Sequence, residues 1–192
     1  MELLVESARI QDDLVHMVHE HGRDFNVIVR QWGAFDAELE FRAFVYDGRC
    51  TAVTQYNQFC FFPRVVKHLA EIQHALLSFV HERMVPTLTT LRNYVLDLAL
   101  RYPDHPGGDY TCYVVEVNPF AEFAGTGLFT WETEWQILMG RKPFEFRVVL
   151  QEVRGAWRQA NSAWLPAAFF DETADGDDTA APAAILDREP PQ

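Results

Sequence analysis

The chain has 192 residues, of which 48% are hydrophobic and 14% aromatic, so it can bury a core and is not globally disordered. Its formal net charge of −12 argues against broad binding to nucleic acids or to anionic membranes. No apolar run is long enough to span a membrane, and the N-terminus lacks the pattern of a secretory signal. Three cysteines are too few for a disulfide framework, so we expect a cytoplasmic protein.

The N-terminal half of the chain is predicted to contain a helix, a strand and a hairpin. Apolar residues at helical spacing predict a helix over residues 3–22, and the β-branched segment 25–32 (FNVIVRQW) predicts a strand. The strongest local signal is Asp47-Gly48, which separates two strand-like runs at residues 40–46 and 49–55. Asp-Gly between such runs is typical of a two-residue hairpin turn.

The second half continues with alternating helices and strands. A helix is predicted from Pro63 to about Val85, followed by strands over 93–101 and 110–117 that form an antiparallel pair. A short helix is predicted over residues 130–139 and a strand over 145–150. The expected fold class is therefore α+β, with mostly antiparallel sheets and flanking helices.

The last part of the chain differs in composition from the rest. Residues 171–192 are rich in Ala and Pro and carry seven acidic side chains against one basic side chain. Such a segment cannot bury enough apolar surface to fold. We therefore predict one domain over residues 1–170 and a disordered acidic tail over 171–192.

Two carboxylates interrupt the second pair of strands. Asp97 is a lone acid in an apolar strand, and strand alternation places Glu116 and Asn118 on one face of the adjacent strand. Two carboxylates and an amide oxygen on one sheet face suit Mg²⁺. The alternative is that the acids lie on a solvated face or pair with Arg92 or Arg101.

Arg42 lies in the first strand of the hairpin, on the same face as Glu40 and Phe44. The planar guanidinium of an arginine can bind phosphate oxygens two at a time. The alternative, which the residues alone favour, is a salt bridge with Glu40 or with a neighbouring acid.

Several segments in the same order resemble the cell division cycle protein 123 (D123) family. They are VIVRQW at residues 27–32, EFRAFV at 40–45, VEVNPF at 115–120 and LFTWE at 128–132. The likeness covers residues 3–140 and extends toward 170. It implies an ATP-grasp-like fold that binds ATP and Mg²⁺ between two lobes. It also implies a cytosolic assembly factor for translation initiation factor 2, contacting the gamma subunit of that factor.

The resemblance implies roles for individual residues. Arg30, Gln31 and Trp32 match the segment that borders the adenine, and Arg42 matches an arginine near the phosphates. The metal ligands that the resemblance implies are Asp97, Glu116 and Asn118.

The chain also departs from the family pattern. Glu116 stands where an aspartate is usual, and Tyr56 and Asn57 replace an Arg-Asp pair. Neither Lys67 nor Lys142 matches the lysine that holds the ATP phosphates in the family. The chain is therefore expected to be the C-terminal portion of the family domain, with the N-terminal part of the small lobe missing.

Three functions remain open at the level of sequence. The first is an assembly factor that uses ATP and Mg²⁺ as ligands and is not an enzyme. The second is a ligase of the ATP-grasp type, which would use ATP to join a carboxylate to an amine or a thiol. The third is a nucleotide-free interaction module or a truncated copy.

Overall fold

A computed structural model describes residues 10–11, 14–15, 19, 28–31, 33, 35–105 and 107–152. The chain forms two compact units, Met1–Ala34 and Phe35–Gln192. The acidic tail predicted over 171–192 lies outside the described residues, and the division at residue 170 stays a prediction.

The first unit confirms one predicted element in part and contradicts another. The described residues between 10 and 19 are helical, in agreement with the helix predicted over 3–22. Residues 28–31 are exposed and are not in a strand, so the strand predicted over 25–32 is wrong at these four positions. A β-branched run forms a strand only where another strand accepts its hydrogen bonds, and no described strand pairs with these residues.

The second unit is built on a five-stranded sheet with the order β4-β3-β1-β2-β5. The first four strands pair in antiparallel fashion, whereas β5 runs parallel to β2. The strands are β1 (Glu40–Tyr46), β2 (Arg49–Gln55), β3 (Tyr94–Arg101), β4 (Thr111–Pro119) and β5 (Glu145–Arg147). This mixed sheet with flanking helices confirms the α+β class.

The predicted turn joins β1 to β2. Asp47 and Gly48 have φ angles of 50° and 70°, as the left-handed hairpin turn requires. Asn93 accepts a hydrogen bond from the Asp47 amide at 2.8 Å, and Arg92 forms an exposed ion pair with the Asp47 carboxylate. These contacts fix the hairpin against the start of β3.

The helices also follow the predicted pattern. They are α1 (Pro63–Lys67), α2 (Leu69–Phe79), a π-helical segment (Val80–Met84), α3 (Val85–Thr87) and α4 (Trp131–Leu138). The single helix predicted from Pro63 to Val85 is therefore interrupted at His68 and widened before Pro86. Proline has no amide hydrogen to donate, which explains the altered hydrogen bonding of the turn that precedes it.

Apolar residues bury both faces of the sheet. On one face, Phe41 and Leu98 belong to a cluster that includes Ile72 and Leu76 of α2. On the other face, Phe44 and Val95 pack in a second cluster, whose remaining buried members are Ala52, Ala124, Phe129, Ile137 and Leu138. Because β3 lies inside the sheet, Asp97 is placed in a strand that is buried on both sides.

Among the described residues, no helix combines the length and the apolar character that crossing a bilayer requires.

Candidate functional site

The site is a row of polar side chains that crosses the sheet. Arg42 of β1 faces Asp97 of β3, and Asp97 faces Glu116 of β4. On the other side of β1, Arg42 faces Thr54 of β2. Facing residues of antiparallel strands project from the same side of a sheet, so the register brings these four side chains to one face. The predicted antiparallel pairing of the strands that carry Asp97 and Glu116 is confirmed.

A buried ion pair lies at the centre of this row. Arg42 donates from Nε to Oδ1 of Asp97 at 2.7 Å and from Nη2 to Oδ2 at 2.8 Å. The two side chains are 13% and 5% exposed. The salt bridge expected for Arg42 is therefore confirmed, with Asp97 as its partner. Neither Arg92 nor Arg101 pairs with Asp97, so that alternative is wrong for Asp97.

Asn118 lies next to the ion pair. It faces Val95, two residues before Asp97 on β3, and its Nδ2 donates to Oδ2 of Asp97 at 3.1 Å. Glu116 is exposed at the open edge of the sheet. The predicted grouping of Asp97, Glu116 and Asn118 on one face is therefore present in the structure.

Negative charge exceeds positive charge at this face. Burial, and then the Asp97 carboxylate, raise the pKa of Glu40. The pKa of the Arg42 guanidinium is raised, first by its hydrogen bonds to Asp97. Burial, followed by the charges of Asp97, Glu40 and Glu116, raises the pKa of Tyr56, whose ring centroid lies 5.2 Å from Arg42 Cζ. The three carboxylates of this face, Glu40, Asp97 and Glu116, and the one guanidinium of Arg42 give a formal charge of −2.

The loop between β4 and α4, residues 120–130, closes over this charged row and is called the β4–α4 loop below. Arg42 Nη1 donates to the carbonyl of Gly125 at 2.6 Å. A Cβ atom at Gly125 would stand 2.9 Å from that nitrogen, and one at Gly127 would stand 2.6 Å from Cγ2 of Thr54. Gly127 also has a φ of +62°, which disfavours a side chain. The two glycines therefore allow the loop to approach the sheet closely.

Further hydrogen bonds hold the same loop. The amide of Leu128 donates to Oγ1 of Thr54 at 3.0 Å, and Nε1 of Trp131 donates to the carbonyl of Ala124 at 2.8 Å. Arg147 of β5 donates from Nη1 to the Leu128 carbonyl at 3.0 Å. The sequence alone did not reveal these contacts, and the one between Leu128 and Thr54 joins residues that are 74 positions apart in the chain.

Arg147 is itself held by two carboxylates. It pairs with Glu134 of α4 at 2.7 Å and with Glu145 at 2.6 Å. The hydrogen bonds from Arg147 lower the pKa of Glu134 below its ordinary value of 4.5. Because the pKa is lowered in the folded state, the ion pair stabilises the fold above pH 4.5 and loses this effect as the pH falls through the lowered value.

We expect Glu134→Gln to lower the free energy of unfolding by about 1 kcal/mol at pH 6, since the pair is partly exposed. As the pH falls through the lowered pKa of Glu134, the carboxyl takes up a proton and the difference from the unmodified chain should shrink. Urea unfolding between pH 3 and pH 7 measures it. The neighbouring exposed Glu132→Gln is the control. An equal loss from Glu134→Gln at both ends of this pH range would contradict the assignment.

The structure does not place the residues predicted to border an adenine relative to this row. Arg30 and Gln31 are exposed and belong to the first unit. Trp32 lies outside the described residues. Their contact with a nucleotide stays a prediction.

The residues present suit Mg²⁺ under one condition. In the described part of the chain, no three His, Cys, Asp or Glu side chains lie close enough to hold a metal by themselves. Mg²⁺ commonly takes one or two carboxylates and completes its shell with water and phosphate oxygens, which Glu116, Asp97 and the Asn118 amide oxygen could begin. Both oxygens of Asp97, however, already accept hydrogen bonds from Arg42. Glu116, Asp97 and Asn118 therefore fit Mg²⁺ if Arg42 gives up its hydrogen bonds to Asp97.

Comparison with known structures gives the same fold. Cdc123 from Schizosaccharomyces pombe matches with a TM-score of 0.57 and 20% sequence identity, over 78% of this chain and 59% of that chain. The C-terminally truncated form of the same protein matches equally well, with a TM-score of 0.57. At this level of identity the likeness concerns the fold alone.

Curated relatives match in sequence. Cell division cycle protein 123 of Candida glabrata is 30% identical over 56% of this chain and 28% of its own length. The translation initiation factor eIF2 assembly protein of Candida albicans is 27% identical over 67% of this chain and 38% of its own length. A protein of the same name from Danio rerio is 27% identical over 57% of this chain. This chain thus spans well under half the length of these relatives.

The D123 family profile matches residues 1–171, which is most of the chain. Its matched range includes the β1–β4 sheet that carries Arg42, Asp97, Glu116 and Asn118. The match agrees with the resemblance noted from the sequence motifs. This chain therefore belongs to the D123 family.

Proposed function

We propose that this chain binds ATP together with Mg²⁺ on the polar face of its sheet and acts in the cytoplasm in the assembly of translation initiation factor 2. In this proposal the fold is ATP-grasp-like and the protein partner is the gamma subunit of the factor. The names of the curated relatives, eIF2 assembly proteins, support the assembly role. ATP and Mg²⁺ are ligands of the complex in this account, and no turnover is required.

The observation that carries the ligand part of the proposal is the excess charge beside Arg42. Glu40 lies on the same face of β1 as Arg42, Asp97 faces Arg42 and Glu116 faces Asp97, so three carboxylates and one guanidinium give this face a formal charge of −2. One divalent cation would neutralise this charge. The oxygen donors Glu116 and Asn118 lie on the same face as Asp97, so they can contribute ligands to such an ion.

Glu116→Gln tests the ligand set with little risk to the fold. Glu116 is exposed, and we expect the variant to unfold at the same denaturant concentration as the unmodified chain. Loss of the carboxylate should weaken Mg²⁺-dependent ATP binding at least about tenfold. The matched control is Glu82→Gln, an exposed glutamate of the π-helical segment, which packs on the other face of the sheet. Calorimetric titration with Mg-ATP gives both affinities, and equal values for the two variants would contradict the site.

The partner is tested separately. We expect the full chain to bind the purified gamma subunit of translation initiation factor 2 and to increase its joining to the alpha subunit. Light scattering or co-elution in gel filtration measures both steps. A well-folded chain that binds neither subunit would contradict the assembly role and leave the ligand site as a separate question.

A further inference from the structure

We propose that Arg42 is an exchangeable counter-ion, which holds Asp97 and the Gly125 carbonyl when no divalent cation is bound and leaves both when Asp97 binds one. The β4–α4 loop would then loosen when the site is occupied. This inference rests on the proposed function, because it assigns a role to Arg42 in cation binding at the same face.

The first step of the argument is that Asp97 has little capacity left for a cation. Oδ1 accepts from Nε of Arg42, and Oδ2 accepts from both Nη2 of Arg42 and Nδ2 of Asn118. The residue is only 4% exposed, so a cation that binds it must compete with the hydrogen bonds from Arg42 and Asn118. Asn118 would also have to turn its amide oxygen, in place of its nitrogen, toward the ion.

The second step is electrostatic. A divalent ion bound to Asp97 would lie a few ångströms from the guanidinium, and like charges at that distance repel strongly where water is excluded. An ion that takes Asp97 also deprives Arg42 of the carboxylate to which its Nε and Nη2 now donate. Arg42 is therefore released toward the ligand, where its planar donors suit a phosphate oxygen.

The third step couples this exchange to the loop. Arg42 uses its remaining nitrogen, Nη1, to hold the Gly125 carbonyl at 2.6 Å. Because the three nitrogens form one rigid plane, a movement of the guanidinium away from Asp97 toward the ligand also draws Nη1 away from the Gly125 carbonyl. The bonds of Thr54 and Arg147 to Leu128 do not involve Arg42 and remain to keep the loop near the sheet.

The proposed exchange and a simple supporting role for Arg42 predict opposite changes in Mg²⁺ affinity when Arg42 is replaced. If Arg42 competes with the cation, Arg42→Gln should tighten Mg²⁺ binding by about tenfold. If Arg42 instead orients Asp97 for the ion, the same variant should weaken binding. The control is Arg101→Gln, which removes the same charge from an exposed position of β3, the strand that carries Asp97.

Gly125→Ala is a second variant that keeps the charge unchanged. Its Cβ would stand 2.9 Å from Nη1 and so disturb the bond between Arg42 and the loop. We expect it to tighten Mg²⁺ binding severalfold, and to do so even if Arg42→Gln fails to fold. In the unmodified full chain, MgCl₂ alone should increase hydrogen exchange of the peptide that covers residues 121–127.

The outcomes separate this inference from the proposed function. Tighter Mg²⁺ binding by Arg42→Gln or Gly125→Ala, together with faster exchange in the loop on adding MgCl₂, supports the exchange. Mg²⁺ binding by the unmodified chain that is weakened or unchanged in both variants overturns the exchange and leaves the proposed site intact. No Mg²⁺ binding by the unmodified chain, with or without ATP, overturns both.

Discussion

Asp97→Ala is expected to lower the free energy of unfolding by about 3–5 kcal/mol, because it removes one partner of a buried ion pair. The guanidinium of Arg42, whose side chain is 13% exposed, would lose two charge-assisted hydrogen bonds and keep only the Gly125 carbonyl. The amide of Asn118 would also lose its acceptor. Urea unfolding followed by tryptophan fluorescence measures the change.

Two further variants provide the comparisons that are needed to interpret the stability of Asp97→Ala. Asp97→Asn keeps an acceptor for Arg42 but removes the charge, and should cost less than Asp97→Ala. Arg92→Ala breaks the pair with Asp47, whose side chains are 72% and 58% exposed, and should cost less than about 1 kcal/mol. A similar small loss for Asp97→Ala would show that the central ion pair contributes little to the fold. The structural account of the polar row would then be wrong.

Phe44→Ala is the second large effect that we expect, at about 3–5 kcal/mol of unfolding free energy. Phe44 is fully buried, and its ring meets those of Phe120, Phe129 and Trp131 edge-on at centroid distances of 6.4, 5.9 and 6.0 Å. Removing it leaves a cavity beneath the β4–α4 loop. We therefore also expect faster hydrogen exchange in that loop.

The matched control is Phe123→Ala in the same loop. Phe123 is 80% exposed, so the same deletion should change the unfolding free energy by less than about 0.5 kcal/mol. If both variants lost equal stability, the loop would not be packed on the sheet through Phe44. Thermal unfolding of the two proteins side by side is sufficient for this comparison.

Local signals predicted much of the second unit. Asp47-Gly48 determines its own turn, and the two residues adopt the positive φ angles that such a hairpin needs. The apolar periodicity after Pro63 predicted a helical segment, whose apolar face packs on the sheet through Ile72 and Leu76, but not its interruption at His68. Strand alternation likewise placed Glu116 and Asn118 together, since the period of a strand is fixed by its backbone.

Long-range pairing was the part that the sequence did not reveal. The parallel pairing of β5 with β2, and the register that sets Arg42 opposite Asp97, both join segments that are far apart in the chain. At residues 28–31 a β-branched run predicted a strand, but these residues do not form one. The glycines that admit the β4–α4 loop have a role only once Thr54 and Arg42 are seen beneath them.

The sequence predicted which residues form the candidate site but not how those residues interact. Asp97, Glu116 and Asn118 were predicted as a set and lie on one face. Both carboxylate oxygens of Asp97, however, accept hydrogen bonds from the guanidinium of Arg42. The two alternatives for Arg42, a phosphate ligand and a salt bridge, become two states of the same side chain in the exchange that we propose. The roles of Arg30, Gln31 and Trp32 depend on the first unit and stay predictions.

Calorimetric titration of the full chain with ATP, in excess Mg²⁺ and again in excess EDTA, tests the central claim most directly. The account predicts that one ATP binds per chain with Mg²⁺ present, and that binding is lost or at least about tenfold weaker in EDTA. It is contradicted by a folded chain that gives no binding heat in either buffer, or by equal affinities in the two.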